Sequence, residues 1–110
     1  MRKVELVAAM LAVMLQRSGK TRGRVSDTTL KKVSRRKIVR LAFLQQLTEA
    51  LEDLGVILRG VDRGGYALVA IKALDGAPSL TANSFPGILD LSLEQLYQEL
   101  NLSPNDDESE

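Results

Sequence analysis

Apolar positions recur along the first part of the chain at helical spacing. Val4, Val7, Ala8, Leu11, Met14 and Leu15 form one stripe at intervals of three and four, and Leu6, Met10 and Val13 form a second on an adjacent face. The pattern predicts a helix over 2–16. A helix apolar around so much of its circumference must be covered on two sides. One side is the core of its own domain; the other is met either by a second copy or by the C-terminal segment folded back. The periodicity stops at Ser18, where glycines and cations predict a basic loop over 18–25, with Val25 suited to a very short strand. Ser26 and Asp27 are good N-caps, and a short helix over 27–33 follows, turning Leu30 and Val33 inward. Ser34 has the chemistry to cap the next helix, predicted over 35–54 and stopped by Gly55. Its expected inward stripe is Ile38, Leu41, Ala42, Leu44 or Gln45, Leu47 or Thr48, Leu51 and Leu54.

Beyond Gly55 the pattern changes to strand-like runs, Val56 to Val61 and Tyr66 to Ile71. The turn-forming Asp62-Arg63-Gly64-Gly65 between them predicts a hairpin over 56–71. Turn residues dominate 73–91 (Asp75-Gly76, Pro78, Asn83, Pro86-Gly87), so this reads as a linker, anchored on the domain surface by Phe85, Ile88, Leu89 and Leu91. Ser92 and Gln95 have the spacing of a capping box at the start of a short helix over 92–101. Leu93, Leu96, Tyr97 and Leu100 share one face of it, which either packs on the domain or is offered to a partner protein. The acidic stretch 102–110 is expected to be disordered. The elements sum to one domain over 1–72 with C-terminal additions, mainly α with a small β-hairpin, an α+β class.

Composition narrows the chemistry. Phe43, Tyr66, Phe85 and Tyr97 are the only aromatics, so the core has to come from Leu, Val, Ile and Ala. The absence of Cys excludes disulfides and thiol nucleophiles, and the absence of His removes the commonest zinc ligand and acid–base catalyst. The carboxylates show no paired or metal-ligating spacing, so neither enzyme activity nor a metal or cofactor is expected. Gly19-Lys20-Thr21 has the look of a phosphate-binding loop, but the required earlier glycine would fall at Met14, and a helix rather than a strand precedes it. The apolar run after Arg2 and Lys3 contains Glu5, leads into Gln16 and Arg17 without a small-residue cleavage site, and is too short to cross a bilayer. A cytoplasmic protein with no membrane association is the expectation.

Charge changes the picture most. The net charge is only +1, yet residues 1–40 hold twelve lysines and arginines against Glu5 and Asp27, and the rest holds three against twelve acids. Such segregation points to a polyanion on one side. Within the predicted helix 35–54 the cations crowd the start and the acids the end, against the helix dipole. An anionic ligand at the helix start accounts for that arrangement.

The run Val25–Ile71 resembles the winged helix-turn-helix superfamily, with Leu54-Gly55-Val56-Ile57 similar to its usual helix-to-strand junction. The resemblance implies that helix 35–54 reads the major groove and that the hairpin touches the backbone or minor groove. The expected function is therefore DNA binding, as a small transcriptional regulator. Ser34, Arg35, Arg36, Lys37 and Arg40 lie in or over the groove, with Arg36 and Lys37 favoured for base contact. Lys20, Arg22, Arg24, Lys31 and Lys32 hold phosphates, and Arg63 reaches the backbone from the hairpin tip. Double-stranded DNA and a second copy are the expected partners, two half-sites multiplying affinity for so small a reader. The alternative is a non-catalytic interaction subunit of a larger complex, binding through helix 2–16 and helix 92–101.

Overall fold

Four α-helices and a three-stranded antiparallel sheet make up the structure, a computed structural model that describes residues 1–102. The chain divides into two units, Met1–Ala77 and a second beginning at Pro78. The expected acidic tail lies outside the described residues from 103 onward.

In the first unit, α1 (Val4–Arg17) buries Val7, Ala8, Leu11 and Leu15, a stripe at the spacing the sequence set out. Met14 departs from that stripe and is 42% exposed, on the flank that also carries Met10 and Val13. The expected loop over 18–25 contains a strand, β1 (Arg22–Val25). Its alternation explains why so polar a run is extended: Val25 is buried, and a Cβ on Gly23 would lie 3.6 Å from Leu15, while Arg22 and Arg24 are exposed. Helix α2 (Asp27–Ser34) starts where Ser26 caps it, the hydroxyl accepting from the Thr29 N–H at 3.0 Å. β2 (Val56–Gly60) and β3 (Tyr66–Ala70) form the hairpin, and β3 takes the centre of the sheet in the order β1-β3-β2. The sheet thus holds one strand more than a hairpin.

The helix expected over 35–54 begins six residues late: α3 runs Leu41–Asp53. Two local causes combine. Arg35 takes a left-handed conformation (φ 55°, ψ 41°), and the N–H groups of Arg35 and Arg36 return to the carbonyls of Lys32 (3.3 Å) and Lys31 (3.0 Å), closing α2 in a Schellman-type turn. The second cause is phase. Phe43, Leu47 and Leu51 form the buried stripe of α3, and that rotation turns Leu41 outward, 70% exposed, while Ile38 lies in the connection before the helix and is 62% exposed. A phenyl ring buries more apolar area than either side chain it displaces. Leu54, also expected inward, is 51% exposed. Ser34 does not cap α3; it is the fully buried last residue of α2, its hydroxyl directed at the Lys31 carbonyl.

The core lies between the helices and the inner sheet face. Leu11, Leu30, Leu47 and Leu51 meet Val56, Leu58, Leu68 and Ala70 there. The outer sheet face follows from the register. Arg24 pairs with Ala67, which pairs with Arg59; Arg22 pairs with Val69, which pairs with Ile57.

In the second unit two 3-10 turns (Ala82–Ser84 and Ile88–Asp90) occupy the expected linker, whose first residues, up to Ala77, belong to the first unit. They lead to α4 (Leu93–Glu99), where both capping-box bonds between Ser92 and Gln95 are present, at 2.9 and 3.2 Å. Of the apolar face, Leu96 and Tyr97 are half-buried and Leu93 and Leu100 exposed. No helix among the described residues is long and apolar enough to cross a membrane.

Candidate nucleic-acid interface

The connection between α2 and α3 gathers most of the predicted site. Lys32, Arg35, Lys37 and Arg40 are exposed at or beside it. The helix they lead into has Arg40 at its N-cap with no side-chain cap, so the first-turn N–H groups of α3 keep their donor capacity. Lys32, Arg35 and Lys37 therefore precede α3 rather than ride on it, while Arg40 at the N-cap and Glu52 and Asp53 in the last turn keep part of the conflict with the dipole. Among the described residues the one ion pair joins Lys31 to Asp27 at 3.0 Å, one turn apart on α2. That partly occupies Lys31 and leaves Lys32, Arg35, Lys37 and Arg40 without carboxylate partners.

Arg36, expected at a base edge, is instead engaged within the unit. Its guanidinium lies 3.9 Å from the Phe43 ring centroid, and its Nη2 donates to the Arg2 carbonyl at 3.2 Å and its Nη1 to Met1 Sδ at 3.3 Å. Arg2 completes the tie, its backbone N–H donating to the Ser34 carbonyl at 3.0 Å and its Nη1 to the Val33 carbonyl at 2.8 Å. The chain start, the end of α2 and the first turn of α3 are thus stapled together by Arg36, whose buried Nε has no partner among the described residues. Replacing Arg36 with Ala is expected to destabilise the domain by about 1–3 kcal/mol, because the cation–π stacking and the charged hydrogen bonds go with it. Urea unfolding measures this; a variant as stable as the parent sinks the structural role. Ser34, fully buried, likewise leaves the interface.

The remaining predicted cations do not share that surface. Arg22 and Arg24 project from the outer sheet face, on the side away from the helices, and Arg24 shares its cross-strand row with Arg59. Lys20 borders a concavity with Leu54, Gly55 and Lys72, beyond the C-terminal end of α3. α3 is thirteen residues, hence about 20 Å, long, and it separates Lys20 from the Arg35–Arg40 connection. Arg63 sits exposed in the hairpin turn, where the Gly64 N–H donates to the Val61 carbonyl at 3.0 Å.

Sequence reading missed the polar side chain best placed on the outward face of α3. Gln45, a possible inward residue by periodicity, is exposed, on the side opposite Phe43, Leu47 and Leu51. The signal that could have found it is the four-residue spacing of Phe43, Leu47 and Leu51. Among the described residues no three carboxylates gather as a metal site needs. The chain matches no protein-family model, no curated protein and no solved structure.

Proposed function

We propose that this chain is a winged-helix protein that binds double-stranded DNA, acting as a small transcriptional regulator. The observation that carries the reading is the set of exposed cations Lys32, Arg35, Lys37 and Arg40, spread from the end of α2 along the connection to the uncapped start of α3 and none of them ion-paired among the described residues. Phosphates there meet guanidinium and ammonium charge together with free backbone N–H groups. The order α1-β1-α2-α3-β2-β3, with sheet order β1-β3-β2, supports the winged-helix part, the hairpin being the wing that carries Arg63.

The contacts divide by chemistry. Lys32, Arg35, Arg40 and Arg63 hold phosphates, while Lys37 and Gln45 reach base edges, Gln suiting adenine. Ile38 and Leu41, exposed beside them, offer apolar contact to thymine methyls. The acids Glu49 and Glu52 further along α3 limit the approach to its first turns. Two copies on two half-sites supply the affinity that one such small surface lacks.

A salt titration tests the reading. With four cations on phosphates and Lys37 beside them, log affinity of each copy for duplex should fall against log salt with a slope of about −4. A slope shallower than about −1 overturns it, and equal affinity for single strands removes the duplex part.

A further inference from the structure

Along the outer flank of α1, between it and α2, runs an open groove whose walls combine two chemistries. Its floor is apolar: Met10, Val13, Met14 and Val33, with Ala9 leaving room for close approach. Val13 and Met14 are 40% and 42% exposed, and Leu6 on the same helix 47%, so this stripe is uncovered within the unit that carries it. The rim is cationic, formed by Arg2 and Arg17 from the α1 side and Lys32 and Arg35 from α2, and among the described residues no carboxylate lines it.

We infer that this groove docks an acidic amphipathic helix of a partner protein. An apolar floor takes the apolar stripe of a helix at i, i+3, i+4 and i+7. The two methionines are unbranched and polarizable and adapt to the shape of what enters. The rim selects among helices by charge, since four cations and no acid favour glutamates or aspartates flanking the stripe. The same rim argues against a second copy joined groove to groove. A two-fold dimer through this groove would set the same patch against itself and bring like charges together. Duplex DNA fits it poorly, because a phosphate backbone gains nothing from a floor of thioethers and methyls.

The probe is a synthetic helix about sixteen residues long, enough for four turns, with leucines at that spacing and glutamates on its flanks. Fluorescence anisotropy reads its binding to the full chain, beside a twin with lysine for every glutamate. The acidic peptide should bind and the lysine twin should not. Val13→Glu, which buries a charge on the floor when the peptide docks, should weaken the acidic peptide about tenfold or more, on the order expected for an unpaired buried carboxylate. Arg17→Glu should weaken it roughly fivefold, as befits an exposed rim charge. Far-UV circular dichroism and urea unfolding that match the parent certify the fold of both variants; Lys32 and Arg35, common to this groove and the proposed duplex surface, are left intact. Equal binding of the two peptides, binding of neither, or indifference to Val13→Glu each overturns the proposal. Self-association of the parent that Val13→Glu abolishes overturns it in favour of a second copy.

Discussion

Replacing Lys37, Arg40 and Arg63 together by Gln should lower duplex affinity by about a hundred- to a thousand-fold near physiological salt, and reduce the salt slope by about 2. The size follows from counterion release at Arg40 and Arg63. Each phosphate left without its cation takes roughly 0.9 from the slope and about a factor of ten from the affinity at that ionic strength. Lys37 adds a base contact worth up to about tenfold more. All three side chains are exposed and outside the described ion pair, so the fold should survive, and the stability should shift by less than about 0.5 kcal/mol. Arg22→Gln with Arg24→Gln is the matched control. These residues carry the same kind of charge but project from the outer sheet face, and their removal should cost several-fold less. Electrophoretic mobility shift or anisotropy across a salt series measures both. If the two sets weaken binding equally, charge alone decides it and the connection before α3 has no special place.

Sequence periodicity was enough for α1, α2, the hairpin and the Ser92 capping box, because each rests on interactions a few residues apart. It erred where two local rules competed. Cations followed by Ile38 and Leu41 looked like the first turns of a long helix, since apolar residues three apart satisfy a helical period. A stripe starting at Phe43 satisfies it too, and the choice between them is made by the opposite wall of the core, Leu11, Leu30 and the sheet, to which no local window has access. That choice moved α3's start to Leu41 and set Phe43 under the guanidinium of Arg36, which the sequence had offered as a base reader and which the structure ties to the chain start. The division of the remaining cations was illegible for a related reason. Arg22 and Arg24 are close in sequence to Lys31 and Lys32, and only the pairing of β1 with β3, more than forty residues away, fixes which way they point. Charge segregation along the chain was a sound signal of a cationic surface, but not of its extent. The groove beside α1 was half visible: a second apolar stripe demanded a cover, whereas its cationic rim depended on where α2 would lie.

Gly65→Ala is expected to be among the most damaging single changes in the first unit, and its neighbour provides the comparison. Gly64 and Gly65 both have positive φ, 91° and 82°, so alanine at either incurs the left-handed penalty of about 1–2 kcal/mol. Their surroundings differ. A Cβ at Gly64 meets nothing within 4 Å, whereas one at Gly65 would lie 2.6 Å from the Val25 carbonyl oxygen and 3.3 Å from the Ser26 Cα. Backbone cannot rotate aside as a side-chain tip can, so relief requires the hairpin to move off the junction between β1 and α2. That junction carries much at once: Val25 pairs with Tyr66, and Ser26 caps α2. Gly65→Ala should therefore cost about 1–3 kcal/mol beyond Gly64→Ala, by analogy with overpacking. Against a total stability of about 5–10 kcal/mol for a domain this size, that difference is plain in a urea melt. Equal destabilisation at the two positions would mean that the hairpin does not seat against the start of α2. In that case Arg63 would not be held where the proposed wing contact needs it, and the triple substitution should show a smaller effect by the share that Arg63 contributes.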